Sequence, residues 1–167
     1  LGPHRLGNPH PDETTRPALF TALRTGFAEA LLREAFLAIR RLRAERRRAR
    51  GLLPGETARG LGKLLVVAPD QAAARHYLDT VRGWIPAAQA EAVAQLATSD
   101  TPHAHEILAA FRLRPEPSVL VTVAMAYEGL DAPEVAVVAA LTHIRSRPWL
   151  EQMVARATRV DPQAGEY

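Results

Sequence analysis

Residues 64–71 read LLVVAPDQ, and this stretch decides the fold class. The first five residues are apolar without alternation, which is typical of a strand that is covered on both faces. Three more runs of the same kind follow, at Ala92–Ala97, Val119–Val123 and Val135–Ala140. Because stretches with helical character separate these runs, we predict an α/β fold, with a parallel sheet flanked by helices and right-handed crossovers.

Helices are predicted between and after the strands, over Gln71–Trp84, Ala104–Phe111 and Pro148–Thr158. Ligands of parallel sheets bind beyond the carboxyl ends of the strands. We therefore expect the functional residues in the loops that follow Ala68, Ala97, Val123 and Ala140.

The N-terminal part has another pattern. From Pro17 to Arg50 apolar residues recur in steps of three and four, which predicts an amphipathic helix with a break near Gly26 and a C-terminal stop at Gly51. We expect its apolar stripe, Phe20 to Leu42, to be buried in part.

An arginine-rich tract closes this predicted helix, with seven arginines between Arg40 and Arg50. Residues 1–62 hold 12 Lys and Arg against 6 Asp and Glu, whereas the rest of the chain holds 9 against 12. The basic excess is therefore N-terminal, and Arg46, Arg47 and Arg48 are candidate contacts to a nucleic acid. A solvated helix face explains the same arginines equally well.

Length and composition limit the function classes. The chain has 167 residues, of which 47% are hydrophobic, enough for one domain with a sizeable core plus an appendage. It has no cysteine, and no apolar run approaches the roughly 20 residues that span a bilayer. We expect no metal site on this chain, no membrane partner and a cytoplasmic location.

The predicted division is 1–16 as linker or disorder, 17–61 as helical extension and linker, and 62–167 as the sheet domain.

A polar stripe marks the last predicted helix. Gln152, Arg156 and Arg159 follow at helical spacing and share one face. Two guanidiniums beside an amide on one rigid face suit the charge that develops on a transferring phosphoryl group. Spacing alone favours a plainer interpretation, a solvated basic face.

The segment after the Val119–Val123 run contains Glu128-Gly129-Leu130-Asp131. A carboxylate at Asp131, just beyond the sheet edge, can accept hydrogen bonds from ribose hydroxyls, and Gly129 permits a tight turn. Taken alone, a turn glycine with a capping aspartate is the better explanation.

Taken together and in order, these segments resemble the second RecA-like domain of superfamily 2 helicases. Residues 152–159, QMVARATR, resemble the arginine motif of that family, residues 128–131 resemble motif V, and residues 63–71 are similar to motif IV. The motif style is closest to the DNA-repair and restriction-subunit branches. The resemblance covers about residues 62–162, and it implies a RecA-like domain that ends at Tyr167, before the further strand that relatives add.

The resemblance implies half of an ATP site in an ATP-dependent helicase. Arg156 and Arg159 would reach the γ-phosphate of ATP bound to a first RecA-like domain, Arg159 as the arginine finger and Gln152 beside that phosphate or its attacking water. The nucleotide would also meet Glu128, Gly129 and Asp131. Nucleic acid, DNA in preference to RNA, would contact Pro69, Asp70, Gln71, Ser99 and Thr122.

The sequence departs from a complete motor in several ways. It has no Gly-Lys-Thr/Ser phosphate loop and no strand that ends in Asp-Glu, and its sole lysine, Lys63, precedes a strand. The phosphate cradle and the Mg²⁺ ligands must therefore come from the first RecA-like domain, and we expect this chain alone not to hydrolyse ATP. Ala155 and Thr158 stand where many relatives have glycine, and Val123 stands where DEAD-box relatives have threonine. The alternative interpretation is a degenerate RecA-like domain that only binds nucleic acid or protein.

Overall fold

The computed structural model describes residues 18–21, 25–123 and 132–141. They form a five-stranded sheet in which every pair of neighbouring strands is parallel. The strands are β1 (Ala18–Thr21), β2 (Lys63–Ala68), β3 (Ala94–Leu96), β4 (Val119–Val123) and β5 (Val135–Ala140), in the spatial order β1-β5-β2-β4-β3. The predicted α/β fold with a parallel sheet flanked by helices is confirmed, and it is consistent with a RecA-like fold.

Four helices accompany these strands in the described part of the chain: α1 (Thr25–Arg50), α2 (Gln71–Arg82), α3 (Ala87–Val93) and α4 (Ala104–Leu113). The helices expected at Gln71 and Ala104 are confirmed to within two residues at their ends. The third strand begins two residues later than predicted because α3 continues to Val93. The helix predicted over Pro148–Thr158 lies outside the described residues.

The start of the N-terminal segment corrects the prediction of a helix from Pro17 onward. Residues Ala18–Thr21 form β1, which pairs in parallel with β5 from Ala18 beside Val137 to Thr21 beside Ala140. Without β1, β5 would be a sheet edge with unpaired backbone groups. Pairing along this edge outweighs the helical spacing of the apolar residues, which a short apolar segment satisfies by chance.

One face of the sheet is covered by α1 and α2. Leu64, Val66 and Ala68 of β2 point to this face, and they belong to one buried cluster with Leu32, Ala35, Phe36 and Ile39 of α1 and with Ala74, Tyr77, Leu78 and Val81 of α2. The expected burial of the apolar stripe is confirmed for this part of α1. The helix is accordingly a layer of the sheet domain and not an appendage beside it.

The opposite face is covered by α4. Leu65 and Val67 of β2 point to it, and they pack in a second cluster with Phe111 of α4 and Leu120 of β4. The alternation between the two clusters follows from the two-residue period of a strand. The crossovers explain why α2 and α4 are on different faces. The chain runs from β2 through α2 past β4 to β3, and it returns through α4 from β3 to β4. Right-handed crossovers in opposite directions place their helices on opposite faces.

Candidate functional site

The carboxyl ends of β5, β2 and β4 lie side by side at one edge of the sheet. Ala68 at the end of β2 is beside Val123 at the end of β4, and Val67 is beside Ala140. The chain leaves β2 toward β3, whereas after β4 it passes β2 to reach β5. The connections that leave the neighbouring strands β2 and β4 therefore run in opposite directions. Ligands of open α/β sheets bind in the crevice at such a point. We call this side of the sheet the carboxyl edge.

Asp70 caps α2 at this edge. Its Oδ1 accepts a hydrogen bond from the backbone N–H of Ala73 at 2.8 Å, and the residue has the extended backbone of a helix N-cap. Such a bond satisfies one of the donors that a helix start leaves without a partner. Asp70 is exposed and Pro69 is half-buried, so both lie on the surface that the resemblance assigns to nucleic acid.

Gln71 joins the start of α2 to the loop that follows β3. Thr98 donates a hydrogen bond from Oγ1 to Gln71 Oε1 at 3.4 Å, and the same hydroxyl is 3.0 Å from Oγ1 of Thr101. The backbone N–H of Thr98 also donates to Thr101 Oγ1 at 2.9 Å. Ser99 follows Thr98 and is exposed. The structure therefore brings Gln71 and Ser99 to one surface through Thr98, a residue for which the sequence pattern offers no signal.

Thr122 is placed differently from the other predicted nucleic-acid residues. It belongs to β4 and is only 1% exposed, so its side chain is not on the described surface. The burial follows from its position on a strand that is covered on both faces.

The six residues predicted for the ATP site lie outside the described residues. Three of them, Glu128, Gly129 and Asp131, follow β4 in sequence, and three, Gln152, Arg156 and Arg159, follow β5. Among the described residues there is no group of three His, Asp or Glu side chains that is suited to hold a metal ion. No helix in that part of the chain is both long and apolar enough to cross a bilayer.

The arginine tract lies at the other end of the sheet, which we call the amino edge, because residues 51–62 lead from α1 to the start of β2. Arg46 Nη1 donates to the carbonyl of Gly60 at 3.1 Å, and Arg47 Nη2 donates to the carbonyl of Leu53 at 2.7 Å. Arg50 donates to the carbonyls of Arg59 and Gly60. Arg48 is exposed. Arg46, Arg47 and Arg50 thus hold the linker. The structure does not bring Arg46, Arg47 and Arg48 together with the candidate residues of the carboxyl edge.

Two buried charges support the same edge. Lys63 is 1% exposed, and its Nζ donates at 2.5 Å to the carbonyls of Phe111 and Arg114 at the end of α4. Burial lowers the pKa of Lys63 to about 8, although the nearby Glu134 acts against this shift. The Glu134 carboxylate accepts hydrogen bonds from the backbone N–H of Gly60 at 2.9 Å and from Arg59 Nε at 3.1 Å. A cation at the C-terminus of a helix is favourable, so the sole lysine fastens α4 and takes no part in a phosphate loop.

Comparison with known proteins adds no family to these observations. No protein-family model, no curated protein and no solved structure matches the chain. The function is therefore inferred from the geometry of the carboxyl edge and from the order of the sequence motifs.

Proposed function

We propose that this chain is the second RecA-like domain of an ATP-dependent helicase or translocase that acts on nucleic acid, DNA in preference to RNA. The observation that supports this most strongly is the strand order. The strands β5, β2 and β4 are neighbours. The segment that resembles motif IV includes β2 and the loop after it, and the segments that resemble motif V and the arginine motif follow β4 and β5 in sequence. A site built from three separate loops requires this arrangement.

In this proposal ATP lies between this domain and a first RecA-like domain, which holds most of the triphosphate and the Mg²⁺. Asp131, Gly129 and Glu128 contribute on the ribose side, and Arg156 and Arg159 contribute at the γ-phosphate with Gln152. The arginines stabilise charge that is larger in the transition state than in bound ATP, which raises turnover more than affinity. Closure and opening of the cleft would then move the bound strand.

The nucleic acid lies, in the same proposal, along the loops after β2 and β3. Ser99 and Asp70 are exposed there, and Pro69 and Gln71 are half-buried. The 12-residue helix α2 begins at this surface. The positive end of a helix dipole favours a phosphate group, and the carboxylate of the N-cap Asp70 offsets part of that attraction. Thr122 is buried, so its contribution is limited to shaping β4.

The test is steady-state ATP turnover with saturating single-stranded DNA, in a protein that joins this chain to its first RecA-like domain. Arg159→Ala is expected to lower turnover by at least about a hundredfold, because a positioned arginine finger contributes on the order of 10³ or more. ATP affinity should change much less. Arg159→Lys should restore only part of the activity, since an ammonium lacks the planar fork that bridges two oxygens.

Arg48→Ala is the matched control, because Arg48 is an exposed arginine at the amino edge and its loss should leave turnover within about twofold. Near-normal turnover of Arg159→Ala would contradict the motor function. A domain that only binds nucleic acid or protein would then be the better explanation.

A further inference from the structure

A groove of about 550 Å³ opens at the amino edge, between α1 and the segment that leads into β4. Its apolar surface includes Phe36, Ile39, Trp84 and Val119, and one wall is formed by Arg40, Arg43 and Arg47 of α1. None of the residues in the ATP-site proposal lines it. Whatever the groove binds is therefore independent of that proposal.

No ion pair in the described part of the chain includes the three arginines of the wall, since the ion pairs there involve Arg59, His76 and His103. Glu116 and Glu134 act on Arg43 electrostatically without forming an ion pair with it. Arg43 is half-buried and donates one hydrogen bond, from Nη1 to the carbonyl of Gly62 at 2.5 Å. The guanidinium of Arg40 lies over the ring of Phe36 at 5.7 Å from its centroid, and the residue is exposed. The wall thus offers guanidinium donors to an incoming carboxylate.

Ser118 supplies an independent indication at the base of the groove. It is 6% exposed, and its backbone is fully paired, since its N–H donates to Val93 and its carbonyl accepts from Leu64. Within the described residues its hydroxyl has no hydrogen-bond partner. Buried polar groups are satisfied in the great majority of cases, by protein or by water, so this hydroxyl is free to form a hydrogen bond with a ligand in the groove.

The chemistry of the groove selects a peptide. Glu56 and Glu116 also line it, but Glu56 accepts a hydrogen bond from the backbone N–H of Leu53, and the three arginines leave the lining with a net positive charge. The apolar surface needs an apolar group to cover it, which a peptide side chain supplies and a nucleic-acid backbone does not. Arg40 and Arg47 are two helical turns apart, about 10 Å, which is the span of about three residues of extended chain. We propose that the groove binds an extended acidic segment of a protein partner, with one apolar side chain against Trp84 and a backbone group against Ser118.

The test uses the full chain with Trp149→Phe, which leaves Trp84 as its sole tryptophan. The probes are synthetic ten-residue peptides in which Glu and Asp flank a central Leu or Phe, together with counterparts that carry Gln and Asn instead. Fluorescence titration at 150 mM NaCl is expected to show saturable binding of the acidic peptides, at least tenfold tighter than that of the amide counterparts.

Variants then locate the binding. Arg40→Ala combined with Arg47→Ala should weaken the acidic peptides at least tenfold, and Ser118→Ala should weaken them about threefold. The matched pair, Arg41→Ala with Arg48→Ala, removes two exposed arginines that do not line the groove and should change affinity less than twofold. Loss of the bond from Arg47 to the linker could itself disturb folding. Arg40→Ala alone, at an exposed position, controls for this and should still weaken the binding of the acidic peptides at least threefold.

Three results would overturn the proposal: no preference for acidic over amide peptides, equal losses in the two double variants, or displacement of the peptides by a 15-residue oligothymidylate that binds through Arg40 and Arg47. The last result would make nucleic acid the occupant.

Discussion

At the scale of single residues, Asp70 and Lys63 show where sequence patterns are informative. An aspartate before a helix is a common N-cap for local reasons, and Asp70 has that role although the sequence resemblance assigned it only to nucleic acid. Lys63 carries no such local signal. The two carbonyls that accept its hydrogen bonds belong to Phe111 and Arg114, 48 and 51 residues away in sequence. Its role in holding the end of α4 therefore depends on tertiary packing.

Lys63 should make stability depend on alkaline pH. Its pKa is about 8 in the folded chain against 10.5 ordinarily, so between these values the unfolded chain binds more protons than the folded chain. The free energy of unfolding should therefore rise with pH in this window, by up to about 3 kcal/mol, and the contribution should be flat below it. Urea denaturation at intervals from pH 7 to 10 measures this.

Lys63→Met provides the comparison, because it removes the titrating group and keeps an apolar stem of similar length. Burial raises the pKa of Tyr77, an effect of opposite sign that begins near pH 10 and lies mostly beyond the range. If the slope is the same in Lys63→Met, the charge at Lys63 is not the cause.

At the scale of elements, α1 shows which features the local sequence determines and which depend on residues that are distant in sequence. Its end at Gly51 was predicted, and Gly51 has the positive φ, 68°, that favours glycine after a helix. Its start was wrong because β1 exists only through β5, more than 110 residues later in sequence. The arginine tract was interpreted as a solvated face or a polyanion contact, but most of its side chains bind linker carbonyls, which periodicity does not reveal.

The docking of α1 on the sheet should contribute much of the stability. Leu32 is fully buried on α1, and Leu32→Ala is expected to lower the free energy of unfolding by about 2 to 5 kcal/mol. The same substitution at Leu53, which is 70% exposed, should change it by less than about 0.5 kcal/mol. If urea denaturation shows that Leu32→Ala and Leu53→Ala both change the free energy of unfolding by similarly small amounts, α1 does not pack on the sheet in solution.

At the scale of the whole molecule, the four apolar runs predicted the fold class because strands covered on both faces need no alternation. They did not predict the strand order, since a run such as residues 64–68 specifies burial on both faces but not which strands are its neighbours. The order is what makes the carboxyl ends of β5, β2 and β4 adjacent. For the candidate site, the motif order was available from the sequence, and the roles of Asp131, Arg156 and Arg159 stay predictions.

The two edges of the sheet yield the last prediction, because the proposed motor function assigns DNA to only one of them. When a ¹⁵N-labelled chain is titrated with a 12-residue oligothymidylate, amide resonances should shift at Gln71 and Ser99 and not at Gly55. Ser99→Asp should weaken binding about fivefold relative to Ser99→Ala, since two unit charges about 4 Å apart repel by about 1 kcal/mol in water.

Arg48→Ala distinguishes the alternatives in the same titration. Arg48 is exposed at the amino edge, and its loss should leave the affinity nearly unchanged if DNA lies along the loops after β2 and β3. Shifts confined to residues near Arg48, with a larger loss for Arg48→Ala than for Ser99→Asp, would instead assign the polyanion to the arginine tract. Raising NaCl from 50 to 200 mM should weaken binding at either edge, because both depend on phosphate contacts. Only the position of the affected residues therefore decides between them.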